Sequence, residues 1–313
     1  MFWHLVRFEA GLAVFAVALA ACAAEPAAHD HQKSGFVRLV RDKSEKITAL
    51  ETAIVRCAAR DGGKTGPTVD LVAAVHIADR RYYEELNREF AAHDVVLYEL
   101  VAPEGTKIPE GGKSENQHPV AMIQNMMKDV LELDFQLDRV NYTKPNMIRA
   151  DMTPKQLSES MQRRGESLLT MLIRAMGYSL AKQDSPTSDT AEFDLLAALF
   201  DSHRALALKR LAAEQLEDLE GLTNALGGSN GSSLIEERNK TALAVLRKQI
   251  ALGKRKIAIF YGGGHMKDIQ QRLRDDFDLV PVSTRWLVAW NMADPVKKAA
   301  AKPQALKETF GSP

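Results

Sequence analysis

The chain has 313 residues, with 41 Lys and Arg against 41 Asp and Glu, so its formal charge is zero and nothing in the balance points to nucleic acid as a partner. Of its 2 cysteines, Cys22 closes an amino-terminal export segment, which leaves Cys57 alone and excludes a fold stapled by intramolecular disulfides. About 290 residues follow that segment, enough to bury a core unaided.

Residues 11–21 form an apolar, Ala-rich run behind Arg7. A transmembrane helix needs ~20 such residues, so the run is too short and residues 1–21 read as a signal peptide. The run ends in Leu19-Ala20-Ala21-Cys22, which is similar to the bacterial lipobox. That likeness implies lipidation of Cys22, a membrane partner reached through the lipid, and a place in the bacterial cell envelope. Ala23 rather than Asp at the next position resembles outer-membrane sorting toward the periplasm. The alternative is an ordinary signal peptide with Cys22 incidental. Residues 22–34, which hold His29 and His31, read as a tether.

A single domain is expected over 35–293. Ile47 to Ala59 alternates as a strand does, and the Gly- and Pro-rich turn 61–67 makes a hairpin into Val69–Val75. That apolar run ends in His76, and Asp79 follows three residues later. Arg80 to Ala92 has Tyr83, Leu86 and Phe90 at helical spacing. Asp94 to Tyr98 is a short apolar strand that stops at Glu99. The order strand, helix, strand predicts a right-handed parallel crossover. If those two strands are neighbours, their ends lie about 5 Å apart and Glu99 comes close to His76.

From about 118 to 226 the pattern turns helical, with helices expected over 121–133, 153–161, 167–181, 191–207 and 208–222. This stretch reads as a large all-helical insertion in an α/β core. Leu234 to Leu252 is expected as one long helix. Lys256 to Tyr261 is a second buried-type strand, and it runs through Gly262-Gly263-Gly264 into His265, with Asp268 three residues on. A helix from Met266 to Arg274 and two strands, 278–283 and 285–290, complete the domain. Residues 294–313 read as a loose tail. The expected fold class is therefore α/β: a central mixed sheet with two strand–(G/A)xxH–helix turns and the helical insertion.

In open α/β sheets the carboxyl ends of the strands are where ligands bind. His76 and His265 both fall there, and neutral imidazole serves as a metal ligand or as a general base. The three glycines beside His265 allow close backbone approach or a positive φ. Glu99 is the third candidate, as a ligand or as a base on water. Arg238, at the head of the long helix, either holds a carboxylate or oxyanion bidentately or pairs with a neighbouring Glu on a solvated face. Asp151, before Met152-Thr153-Pro154, reads as a helix-start residue or a substrate contact.

These residues carry a resemblance. Gly262-Gly263-Gly264-His265, Ala73-Ala74-Val75-His76 (with Ala in the Gly position), Glu99 at the end of its strand and Glu237-Arg238-Asn239 together resemble the TraB/GumN family, which includes TIKI-type Wnt-inactivating proteases. The resemblance extends over roughly residues 45–292. It implies an α/β core with a helical insertion and, for the characterised animal branch, a divalent-metal-dependent peptidase. In this chain His76, His265 and Glu99 would then hold a Mn²⁺- or Co²⁺-type ion beside Arg238. Three functions are expected. One is an envelope-anchored metal-dependent hydrolase, a peptidase in particular. Another is a non-catalytic lipoprotein that binds a peptide or small molecule in the same cleft. The third is metal-free hydrolysis, with a His as base and Glu99 orienting it.

Overall fold

The computed structural model describes residues 35–60, 66–109, 111, 131–167, 171, 203–217 and 232–294. Residues 1–34, where a signal peptide, Cys22 and a tether are expected, residues 295–313 of the expected tail, and most of the helices expected over 121–133, 167–181 and 191–207 lie outside those residues.

A seven-stranded mixed sheet organises the fold. Strand β1 (Val37–Arg41) pairs antiparallel with β2 (Ile47–Ala58), and β2 pairs antiparallel with β3 (Thr68–Ala74). After β3 come a two-residue strand β4 (Ile77–Ala78), helix α1 (Arg80–Ala91) and β5 (Val95–Tyr98). A second short strand, β6 (Asp134–Phe135), pairs with β4 and leads through α2 (Gln136–Arg139) to β7 (Met147–Arg149). Helices α3 (Pro154–Arg163) and α4 (Arg204–Glu217) follow, and then α5 (Arg238–Ala251), β8 (Lys256–Gly262), α6 (Met266–Phe277) and β9 (Val280–Asn291). β9 lies antiparallel along β2.

The parallel half of the sheet runs β3–β8–β5–β7. β3, β8 and β5 are buried on both faces, which is why they read as nearly continuous apolar runs, whereas β7 is a half-buried edge strand. One face, with Val72, Val96, Ala258 and Phe260, packs against Tyr82, Tyr83, Leu86 and Phe90 of α1. The other, with Leu71, Leu97, Ile257 and Ile259, packs against Leu243 and Leu246 of α5 and Ile269 and Leu273 of α6. Each such Leu or Ile contributes about 1.5–3 kcal/mol by leaving water.

Several expectations change. β8 sits between β3 and β5, so these two are not neighbours. Their ends are two strand spacings apart, about 10 Å rather than 5. The 118–226 stretch is not all helical, because Met147–Arg149 joins the main sheet beside β5. Three residues are too few for a two-residue period to show in a sequence. β9 is one strand, not two. Ser283 and Thr284, where the sequence suggests a break, pair with Arg56 and Val55 of β2 in a stretch of β9 that is exposed on both faces, where polar residues fit a strand. The helix expected from 208 begins at Arg204, since nothing at Ala207-Leu208 can stop it. The long helix expected from Leu234 opens instead as a π-helical turn, Ser233–Glu237, and becomes α-helical at Arg238. Val37–Arg41 is a strand with no counterpart among the expected elements. Among the described residues, no helix is long and apolar enough to cross a membrane.

Candidate functional site

The parallel strands carry their chemistry past their carboxyl ends: His76 after β3, Glu99 after β5, Asp151 after β7 and His265 after β8. Because β8 and β5 are neighbours, His265 and Glu99 meet. Their Nε2 and Oε1 atoms are 3.6 Å apart. His76 leaves the far side of β8. It is exposed.

Arg238 lies at the centre and is only 7% exposed, so it does not stand on a solvated face. Its Nε and Nη2 donate to the two oxygens of Asp151 at 2.9 and 2.7 Å, and Nη2 also donates to Glu99 Oε1 at 2.6 Å. Nη1 donates to Leu234 O at 3.3 Å and lies 3.4 Å from His265 Nε2. All five guanidinium N–H groups thus have partners within the protein. Arg238 is therefore a positioning residue that holds two carboxylates in place, not a free clamp for a substrate carboxylate. Asp151 belongs to this pair, and the cap of α3 is Thr153, which forms a reciprocal box with Gln156.

The tautomer of His265 follows from a chain of donors. Asp268 can only accept, so the Asn239 atom at 2.8 Å from its Oδ2 is the amide nitrogen, which also donates to His265 O. Asn239 Oδ1 then faces His265 Nδ1 at 2.7 Å, and the ring must donate there. Nε2 is left with its lone pair on the side of Glu99 and Arg238. Burial pushes the imidazole pKa down, and despite the opposing pull of Glu99 it falls to about 4, so the ring is neutral at pH 7.

Glu99 shows the reverse balance. Burial pushes its carboxyl upward, but the charge of Arg238 above all, the neighbouring imidazoles in their protonated forms and the Gly262 N–H outweigh burial and hold it well below the usual carboxylate range. The Gly262 N–H donates to Oε2 at 2.7 Å. A Cβ on Gly262 would meet that oxygen at 3.4 Å, so the glycine serves a close approach to Glu99. A positive φ is not what it supplies, since its φ is −54°.

A second group lies away from this rim. Asp70, Glu89 and His93 offer one ligand atom each, all within 4.8 Å of one another, and could hold a metal ion. Both Asp70 oxygens already accept from Arg56 at 2.8 Å, one accepts from His93 Nε2 at 3.0 Å, and Glu89 pairs with Arg285. Arg56 and Arg285 balance the two carboxylates as the structure stands, and the network ties β2, β3, α1 and β9 together. None of its members is among the candidates drawn from sequence, although a lone Asp inside the apolar run Val69–Val75 is its signal. Asn239 enters the sequence-based set only through the resemblance. Arg238 and Asn239 in fact head the buried stripe Ala242, Leu243 and Leu246 on α5, which is legible at helical spacing.

Compared with protein families, curated proteins and solved structures, the chain matches none.

Proposed function

We propose that the chain is a TraB/GumN-type, divalent-metal-dependent hydrolase, a peptidase in particular, tethered to the bacterial cell envelope through lipid on Cys22. One observation carries this reading. A neutral imidazole has its Nε2 lone pair 3.6 Å from an ionised carboxylate, at the carboxyl rim of a parallel sheet. Imidazole nitrogen and carboxylate oxygen are the donor set of a Mn²⁺- or Co²⁺-type ion. His265 and Glu99 would hold the ion in place of their present contacts with Arg238, and the exposed His76, whose ligand atoms do not lie within 4.8 Å of both of theirs, would have to swing across the rim to join them. Bound there, the ion supplies Lewis-acid polarisation of a carbonyl and a lowered water pKa.

The residues of the chain do the rest. Arg238 keeps Glu99 ionised and oriented. Asn239 keeps His265 in the tautomer whose Nε2 carries the lone pair, which now faces Arg238 Nη1 at 3.4 Å; Asn239 is a second partner of the kind that tunes metal ligands. The Gly262 N–H fixes Oε2 of Glu99.

The test is hydrolysis of a peptide library by the purified protein before and after dialysis against chelator. Activity should disappear on chelation and return with Mn²⁺ or Co²⁺. Hydrolysis that survives chelation would exclude the metal and leave His265 acting as a base beside Glu99. A second reading, a non-catalytic lipoprotein that binds a peptide or small molecule, is favoured by one observation: a guanidinium already neutralises Glu99 at 2.6 Å. That reading gains if the protein binds library peptides and cleaves none with either ion.

A further inference from the structure

The main chain around His76 is held from several directions. Ala73 O accepts from Tyr82 Oη at 3.0 Å, and Val75 O from Tyr83 Oη at 3.2 Å, both on α1. His76 O accepts from the Gln136 N–H at 2.9 Å, and Ile77 O from Trp290 Nε1 of β9 at 2.7 Å. Asp79 closes the turn. Its N–H donates to Ala289 O at 2.9 Å, its Oδ2 accepts from the Asn291 N–H at 2.5 Å, and its Oδ1 accepts from Lys209 Nζ at 3.0 Å.

Lys209 is the unusual member. It lies on α4 and is only 7% exposed. Burying an ammonium is costly, and an apolar residue of similar volume in place of a buried ion pair is often as stable or more so. Stability alone therefore gives little reason for a lysine here. The second His turn supplies a parallel: Asp268, also three residues after its His, accepts from Asn239 Nδ2 at 2.8 Å and from Arg272 Nε at 2.7 Å. In each turn the Asp joins one cation to one donor from a neighbouring element. In the His265 turn this arrangement fixes the imidazole.

We infer that Lys209, acting through Asp79, is the positioning residue for His76. Helix α4 is then a working part of the rim, and His76 presents its imidazole in one place only while α4 is docked. This rests on reading His76 as a site residue.

The experiment compares Lys209→Met and Lys209→Arg in the full chain, labelled with ¹³C at histidine Cε1, with His76→Ala and His265→Ala assigning the resonances. In the Met variant the His76 resonance should shift or broaden while that of His265 stays in place, and the Arg variant should restore it. A Met variant with native circular dichroism and an unchanged His76 resonance overturns the inference. Should the Met variant not fold, Asp79→Asn, which keeps the acceptor for the Asn291 N–H, takes its place: a shifted or broadened His76 resonance supports the inference and an unchanged one overturns it. A Co²⁺ titration separates the two ideas. A parent protein that binds Co²⁺ through His76 should lose about 10–100-fold in affinity in the Met variant. A parent that binds no Co²⁺ removes the metal reading, and the resonances still decide whether Lys209 positions His76.

Discussion

Replacing Arg238 with Met removes the one cation between two buried carboxylates. The side chains of Arg238, Glu99 and Asp151 are 8%, 14% and 0% exposed. Breaking a buried pair by deleting one partner costs about 3–5 kcal/mol, because the remaining charge keeps its desolvation penalty. Two carboxylates lose their partner here, so a cost of about 4 kcal/mol is expected, part of which Met offsets through apolar packing. That is roughly a thousandfold in the folding equilibrium, and a fall of about 1.3 M in the urea midpoint if the slope is ~3 kcal/mol/M. Urea unfolding followed by circular dichroism measures it. The pH dependence carries a sign. In the parent, Glu99 has a depressed pKa, so it contributes stability above the usual value of ~4.3 and loses it as pH falls. In the variant, burial acts on Glu99 without its counter-charge and raises the pKa, so the variant suffers most at neutral pH. The deficit should therefore narrow as pH falls from 7 toward 4. A loss under about 1 kcal/mol, the range of a surface ion pair, or a deficit independent of pH, would refute the buried-pair account.

Three further outcomes are expected. Asn239→Leu leaves the His265 Nδ1–H without its acceptor, which costs about 1–3 kcal/mol; the ¹⁵N spectrum of the ring should show the Nδ1–H tautomer lost as the dominant form. Burial pushes the Asp70 carboxyl up, but hydrogen bonds and charge from Arg56 and His93 hold it well below its ordinary value, so its stabilisation is present above ~3.9 and lost as pH falls. Asp70→Asn should flatten the loss of urea stability between neutral and acid pH, and a profile as steep as the parent's would contradict this. Thr153→Ala breaks the capping box of α3, in which Thr153 Oγ1 accepts from Gln156 N at 3.2 Å and Thr153 N donates to Gln156 Oε1 at 2.7 Å; thermal melting should show a loss of about 1 kcal/mol.

How far the sequence can be read depends on length scale. The long apolar runs 69–75 and 256–261 announce buried strands, and the residues just past them, His76 and His265, announce the rim. Tyr83, Leu86 and Phe90 give α1 its inward face. Strand order is not legible, because nothing local in Val95–Tyr98 reveals that β8 lies beside it. That one long-range fact decides that Glu99 meets His265 and not His76. β7 is hidden by its three-residue length. Arg238 reads as a surface residue because Glu236 and Glu237 sit next to it, whereas its partners Asp151 and Glu99 come from distant strands. Asp151 reads as a cap for the same reason. Side chains whose partners are far along the chain leave only a residue type behind, and a residue type alone is compatible with either role.

Metal analysis of the purified protein beside the His76→Ala/His265→Ala double variant tests the central claim most directly. Near-stoichiometric Mn²⁺ or Co²⁺ in the parent after loading and washing, with none retained by a folded double variant, is the expected result. Equal, negligible metal in both proteins would contradict a shared ion at this rim.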